Sequence, residues 1–217
     1  MVDRAVELGF THLAITDHDR IDGAERAAEH ADARIQVIIG EEVLSRDGDL
    51  IALFVKETIP PGLSATETAA AVHEQGGLIG LPHPFDGLRA SGGARAGAAQ
   101  QVLDQLAAVV DYVETHNARA YRDANPRAAA FADRYELPGV AVSDAHSLRE
   151  LGVAGVELPG SFETASELLA LLPDATLVAG RAPYYVRLWT PIARVVNRLR
   201  GNRRVPPITS PSAMTGP

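Results

Sequence analysis

The stretch "AITDHDRIDG", residues 14–23, passes from apolar residues straight into Asp17, His18 and Asp19. The apolar part reads as a short buried strand. Its ending is unusual for a plain core strand. Histidine supplies a neutral nitrogen donor and aspartate supplies charge, a mixture that suits Zn, Mn or Fe. The other reading is a polar turn that binds nothing. The remaining strand ends separate the two.

Working outward, "THLAIT" (11–16) and "RIQVIIG" (34–40) read as strands, and "LIALFV" (50–55) follows the turn "RDGD" (46–49), so that 41–55 forms a hairpin. "SATETAAAVHEQGG" (64–77) is a helix with a Ser cap, Glu67 three residues on, and glycine at its close. Then "LIGLPH", "VVDYVETH", "GVAVSDAH" and "ATLVAG" read as strands, separated by the helical "AAQQVLDQLA", "PRAAAFADRYE" and "FETASELLALLP". Strands alternating with helices indicate an α/β fold with a mainly parallel sheet, and nearly all-apolar strands indicate cover on both faces. Five strands end in polar residues: Thr16 to Asp19, Gly40-Glu41-Glu42, Pro82-His83-Pro84, Glu114 to Asn117, and Ser143-Asp144-Ala145-His146. In a parallel barrel all such ends meet at one rim. The repetition favours a metal centre over five unrelated turns.

Composition sets bounds on the chemistry. The 217 residues suffice for one sizeable domain, and 46% are hydrophobic. There is no cysteine, which excludes disulfides, thiolate nucleophiles and Cys-bound zinc. No apolar run reaches membrane-span length, and "MVDRAVELGF" lacks the core of a signal peptide, so the expected location is the cytoplasm. Net charge is -8, yet seven arginines and no acid lie from Arg181 onward. The acidic body argues against nucleic-acid binding by the body as a whole and suits divalent cations.

Each site motif has a second reading. Asp144 and His146 share one face of a continuing strand, or else Ser143 or Asp144 caps a helix. His83 lies between prolines that restrict the backbone, and is a ligand or a buried turn histidine. Of Glu41 and Glu42, one should face inward. His12, His30 and His73 fit packing or surface roles. Glu114, His116 and Asn117 either end a strand at the site or cap the next helix.

In order, "ITDHD", "GEEV", "PHP" and "SDAH" resemble the PHP superfamily, named for polymerase and histidinol phosphatase, over residues 1 to about 160. The section from "VDYVETHNARAY" to "SDAHSLRELG" is similar to the PHP-associated C-terminal segment. The resemblance implies a distorted (β/α)7 TIM-like barrel that hydrolyses phosphoesters with two or three divalent ions: Mn, Zn, Fe or Mg. It assigns His18, Glu42, His83, Asp144 and His146 as metal ligands, with Glu42 as the bridging carboxylate of a Gly-x-Glu pattern. Asp49 stands where relatives often carry histidine, and can still ligate. Asp17 and Asp19 would assist catalysis by orienting His18. Arg89 would contact a substrate phosphate through its planar fork, or is a solvated loop arginine.

The expected substrate is a small phosphorylated molecule, a nucleotide or an oligonucleotide. A noncatalytic PHP-like metal-binding domain, and a hydrolase acting on a non-phosphate bond, are the alternatives. The family's His-x-His strand has no counterpart here, because Met1 leads directly into the helical "VDRAVELGF". The expectation is a barrel lacking its first strand, with that motif encoded in frame upstream.

The expected organisation is a barrel over 1–182, a basic amphipathic helix over 183–204, and a disordered tail over 205–217. The helix either packs on the barrel or meets a membrane surface or acidic partner.

Overall fold

The apolar run around Ile15 forms β1 (His12–His18). After a short helix α1 (Val2–Glu7) and this strand come α2 (Asp22–His30), β2 (Gln36–Ser45), β3 (Gly48–Leu53), α3 (Ala65–Glu74), β4 (Leu78–Leu81), α4 (Gln100–Ala107) and β5 (Tyr112–Asn117). Then follow α5 (Ala124–Arg134), β6 (Gly139–Val142), β7 (Gly155–Glu157), α6 (Ala165–Leu171) and β8 (Thr176–Val178). The computed structural model describes residues 1–86, 100–121 and 123–181. Arg89, the 183–204 helix and the 205–217 tail lie outside them.

Strands β1 to β6 form one sheet in chain order. It is mainly parallel, with the expected hairpin as the exception. The β1–β2, β4–β5 and β5–β6 pairs are parallel, whereas β3 runs antiparallel to both β2 and β4. The cause is local: Arg46 and Asp47 alone connect Ser45 to Gly48, and so short a link permits only an antiparallel return. The described sheet does not close on itself. β1 and β6 are its two edges, while β7 and β8 make a separate antiparallel pair. Residues of both edge strands nevertheless line one hollow of about 1250 Å³, so the sheet curls into a half-barrel around it.

Alternation along the strands sorts the core into two layers. Val43, Leu50, Ala52, Ile79 and Val113 face outward and pack against Ala69 and Val72 of α3, Leu106 of α4 and Phe131 of α5. Ile38, Ile51, Leu53, Tyr112 and Val140 face inward, where Phe162 and Leu168 meet them. Full burial holds for β4 but not for β1, whose residues are half-buried or exposed because an edge strand has cover on fewer sides.

The Ser64–Glu67 capping box forms as the sequence predicts, and Thr164–Glu167 makes a second one on α6. Each fixes where a helix leaves the sheet and contributes about 1 kcal/mol. At Gly80 of β4 the Tyr112 ring lies where a side chain would stand: a Cβ there would fall 2.2 Å from the ring.

Candidate metal centre

The parallel register of β1 and β2 sets His18 beside Glu42. Side chains of neighbouring positions on adjacent strands share a face, so the two meet at the strand ends. His18 Nδ1 lies 3.2 Å from one Glu42 oxygen, and His83 Nε2 lies 3.8 Å from the other. One carboxylate is thus flanked by two imidazoles. His83 follows β4 at φ 26, and its backbone N–H donates to Glu114 at 3.0 Å. Asn117 then bridges to the next strand end. Its amide donates to Glu114 at 3.0 Å and to Asp144 at 3.2 Å, while its Oδ1 accepts from the Arg119 backbone N–H. Both donations fix the carboxylates in place.

Asp144 sits at φ 49. Such backbone strain costs on the order of 1–3 kcal/mol per residue and persists only where the surroundings impose it. His146 Nδ1 meets the Asp144 carbonyl at 2.9 Å, which fixes the ring against its own loop.

His18, Glu42, His83, Asp144 and His146 all line the single hollow, with Asp17 on its rim. The Asp17 carboxyl lies against Gly23, and partial burial raises its pKa above the ordinary value, partly offset by Arg20. Asp19 is placed differently. It is buried at φ 53, and its Oδ1 accepts from the Leu44 N–H, tying β1 to the hairpin. Asp49 is buried in β3 opposite Leu44. Neither Asp19 nor Asp49 is among the residues lining the hollow. Glu41 points to the opposite face from Glu42, fully buried, where one oxygen accepts from the Ile59 N–H at 2.5 Å. Desolvation drives its pKa to about 7, against the lowering effect of the Ile59 hydrogen bond.

The other histidines have local partners. His12 stacks on Phe162, His30 meets Asp3, and His73 meets Asp111. His116 bonds to the Gly180 carbonyl at 2.6 Å. Glu114 is the residue that sequence reading left undecided and the structure brings into the hollow. Counting by two from inward-facing Tyr112 reaches it. The register shift between Glu114 and His116 then turns the histidine aside, a bulge that strand alternation alone does not reveal.

Among the described residues, no three His, Asp or Glu are drawn together as a ready-made ion site. The donors still suit a divalent ion in kind: two imidazole nitrogens face one carboxylate, with two further carboxylates and a third imidazole across the same hollow.

Comparison with known proteins bears on this arrangement. The family described as PHP-associated matches residues 122–176, the part that carries Asp144 and His146. Two uncharacterized proteins of Methanocaldococcus jannaschii are similar: MJ1587 is 42% identical over 82 residues, and MJ0417 is 35% identical over 147 residues. Those alignments cover 37% and 66% of this chain, and 48% and 56% of the relatives, so the chain spans about half the length of the curated relatives it matches.

The fold agrees. A two-domain Bacteroides vulgatus protein containing a predicted PHP-like metal-dependent phosphoesterase superposes with a TM-score of 0.65 at 15% identity, covering 82% of this chain and 59% of that one. The chain thus carries a PHP-associated segment within a PHP-like fold. A second structure, endonuclease Q in complex with a 27-mer duplex substrate carrying an abasic lesion, gives a TM-score of 0.56 at 18% identity, covering 80% of this chain and 50% of that one. At these identities the likeness is one of fold. His18, Glu42 and His83 come from outside the PHP-associated segment, and Asp144 and His146 from within it. No helix among the described residues is long and apolar enough to cross a membrane.

Proposed function

We propose that this protein is a metal-dependent phosphoesterase whose centre is His18, Glu42, His83, Asp144 and His146. The observation that carries the reading is the Glu42 carboxylate, with one oxygen toward His18 and the other toward His83. A carboxylate so flanked is suited to bridging two cations. Divalent ions bound there would supply Lewis acidity toward a phosphoryl oxygen and lower the pKa of water.

The chain's own residues prepare for that chemistry. Asn117 orients Glu114 and Asp144 through its two N–H donations. The Asp144 carbonyl holds the His146 ring by its Nδ1, and the backbone at His83 is pinned by Glu114. Asp17, with its raised pKa on the rim, is placed to orient His18 or to hold a proton near the leaving oxygen. Asp19 supports the same strand end by anchoring it to the hairpin. Asp49 and Arg89 keep the roles suggested by sequence, as an outlying ligand and a phosphate contact.

The named structural neighbours include a predicted phosphoesterase and an endonuclease. They support a phosphate ester as substrate, with nucleotides and oligonucleotides first to be tried. The test compares His83→Ala with His73→Ala. His83→Ala should lose Mn²⁺ binding, measured by calorimetry, and at least about 100-fold in hydrolysis of a generic aryl phosphodiester. His73→Ala, on the surface beside Asp111, should keep both. Equal losses would point to destabilisation and overturn the assignment.

A further inference from the structure

Behind the hollow lies an ion pair that the reading above does not use. Arg119 follows β5, and Glu150 lies in the segment after β6. Their side chains are 4% and 0% exposed, and Arg119 Nη1 donates to Glu150 Oε1. The second Glu150 oxygen accepts two more hydrogen bonds, from the His146 backbone N–H at 3.1 Å and from the Ser147 hydroxyl at 2.9 Å. Arg119 is itself anchored, because its backbone N–H donates to Asn117 Oδ1 at 2.9 Å. A continuous chain of contacts therefore runs from Glu114 and Asp144, through Asn117 and Arg119, to Glu150 and back to His146.

Two buried charges are costly to desolvate, and such a pair is rarely an economical way to stabilise a fold. Its geometry here does something more specific. Asp144 holds a strained φ of 49, and the segment from Ser143 to Arg149 contains no helix or strand to fix it. Without a second anchor, the His146 backbone would be free to turn its ring out of the hollow. The Glu150 carboxylate grips that backbone at His146, and the next residue, Ser147, through its hydroxyl.

We propose that the Arg119–Glu150 pair is a positioning device that sets the Asp144–His146 segment against the rest of the site. The proposal rests on the metal-centre reading for its functional meaning. Glu150 and Arg119 touch no substrate; they act through His146. Losing a partner that orients a metal ligand typically weakens metal affinity by about 10- to 100-fold.

The test uses Glu150→Gln, which keeps the shape but removes the charge that holds Arg119, and Ser147→Ala, which removes one hydrogen bond and leaves the buried pair intact. Amide hydrogen exchange of the metal-free proteins is followed at His146. In Glu150→Gln its exchange should accelerate by about 10-fold or more relative to amides of β4 and β5, with a smaller change in Ser147→Ala. Mn²⁺ titration of the full chain should show binding weakened by about 10- to 100-fold in Glu150→Gln. Phosphodiesterase kcat should recover at high Mn²⁺ while KM stays unchanged.

Unchanged exchange at His146, or acceleration spread evenly over the sheet, overturns the positioning role. So does a lowered melting temperature with an unaltered Mn²⁺ midpoint. Failure of the metal reading looks different: the wild-type protein would bind no Mn²⁺, while exchange at His146 would still decide whether the pair holds the segment.

Discussion

Glu41 offers a direct measure of how dry the wall behind the metal centre is. The side chain is fully buried, and burial moves its pKa from an ordinary 4.5 to about 7. Each pKa unit between folded and unfolded states corresponds to about 1.4 kcal/mol, so the change amounts to about 3 kcal/mol. The sign follows from who holds the proton. Between pH 4.5 and 7 the folded protein keeps a proton on Glu41 and the unfolded chain has released it. The contribution to stability is therefore fully present below pH 4.5 and is lost as pH rises to about 7.

Glu41→Gln has no such dependence. Its carbonyl can still accept from the Ile59 N–H, while its amide occupies the place of an oxygen that has no hydrogen-bond partner among the described residues. That adds a cost of about 1–2 kcal/mol that does not vary with pH. Urea unfolding of both proteins in EDTA, at fixed ionic strength from pH 5 to 8.5, isolates the effect. The difference between the two stability curves should change by about 3 kcal/mol in favour of the variant as pH rises. Parallel curves would refute the reasoning, because a solvated Glu41 would titrate near 4.5 in both states.

Two further substitutions probe the architecture. Asn117→Ala removes donors to two carboxylates, each worth about 1.5–3 kcal/mol and not fully additive, so urea unfolding should show a loss of about 3–4 kcal/mol; a loss below about 1 kcal/mol would mean the bridge is not made. Gly80→Ala drives a Cβ into the Tyr112 ring and should cost about 1–3 kcal/mol, with part of that recovered when Tyr112→Leu is added. Additive effects of the two changes would count against the clash.

Much of this was legible in the sequence because local rules held. Ser64 and Glu67 announced a helix start, alternating helices and strands announced an α/β chain, and polar strand ends announced the hollow. What escaped depended on relations between strands. The Arg46–Asp47 hairpin was legible, but that β4 would pair antiparallel with β3 was not. β8 was legible in "ATLVAG", but its three-residue partner β7 is too short to stand out as a pattern. For the site, Glu41 and Glu42 could be divided between two faces by periodicity, but which faced inward needed the register with β1. Glu114 was obscured because a bulge follows it, and Glu150 because its role depends on Arg119 arriving from another loop.

The hairpin that carries Glu42 also bears on how the centre assembles. β2 and β3 pair through a two-residue link, so bringing them together costs little loop-closure entropy, whereas His83 and Asp144 reach the hollow only after much longer stretches of chain are ordered. The central carboxylate thus belongs to the most locally encoded part of the sheet, and its neighbours must be recruited to it. A one-residue insertion between Gly40 and Glu41 would preserve nearly all the composition of the hairpin and yet exchange the faces of its two glutamates. It would bury the Glu42 carboxylate in the wall and turn Glu41 into the hollow. The spacing of this small hairpin, more than its residue content, is what holds chemistry and core apart.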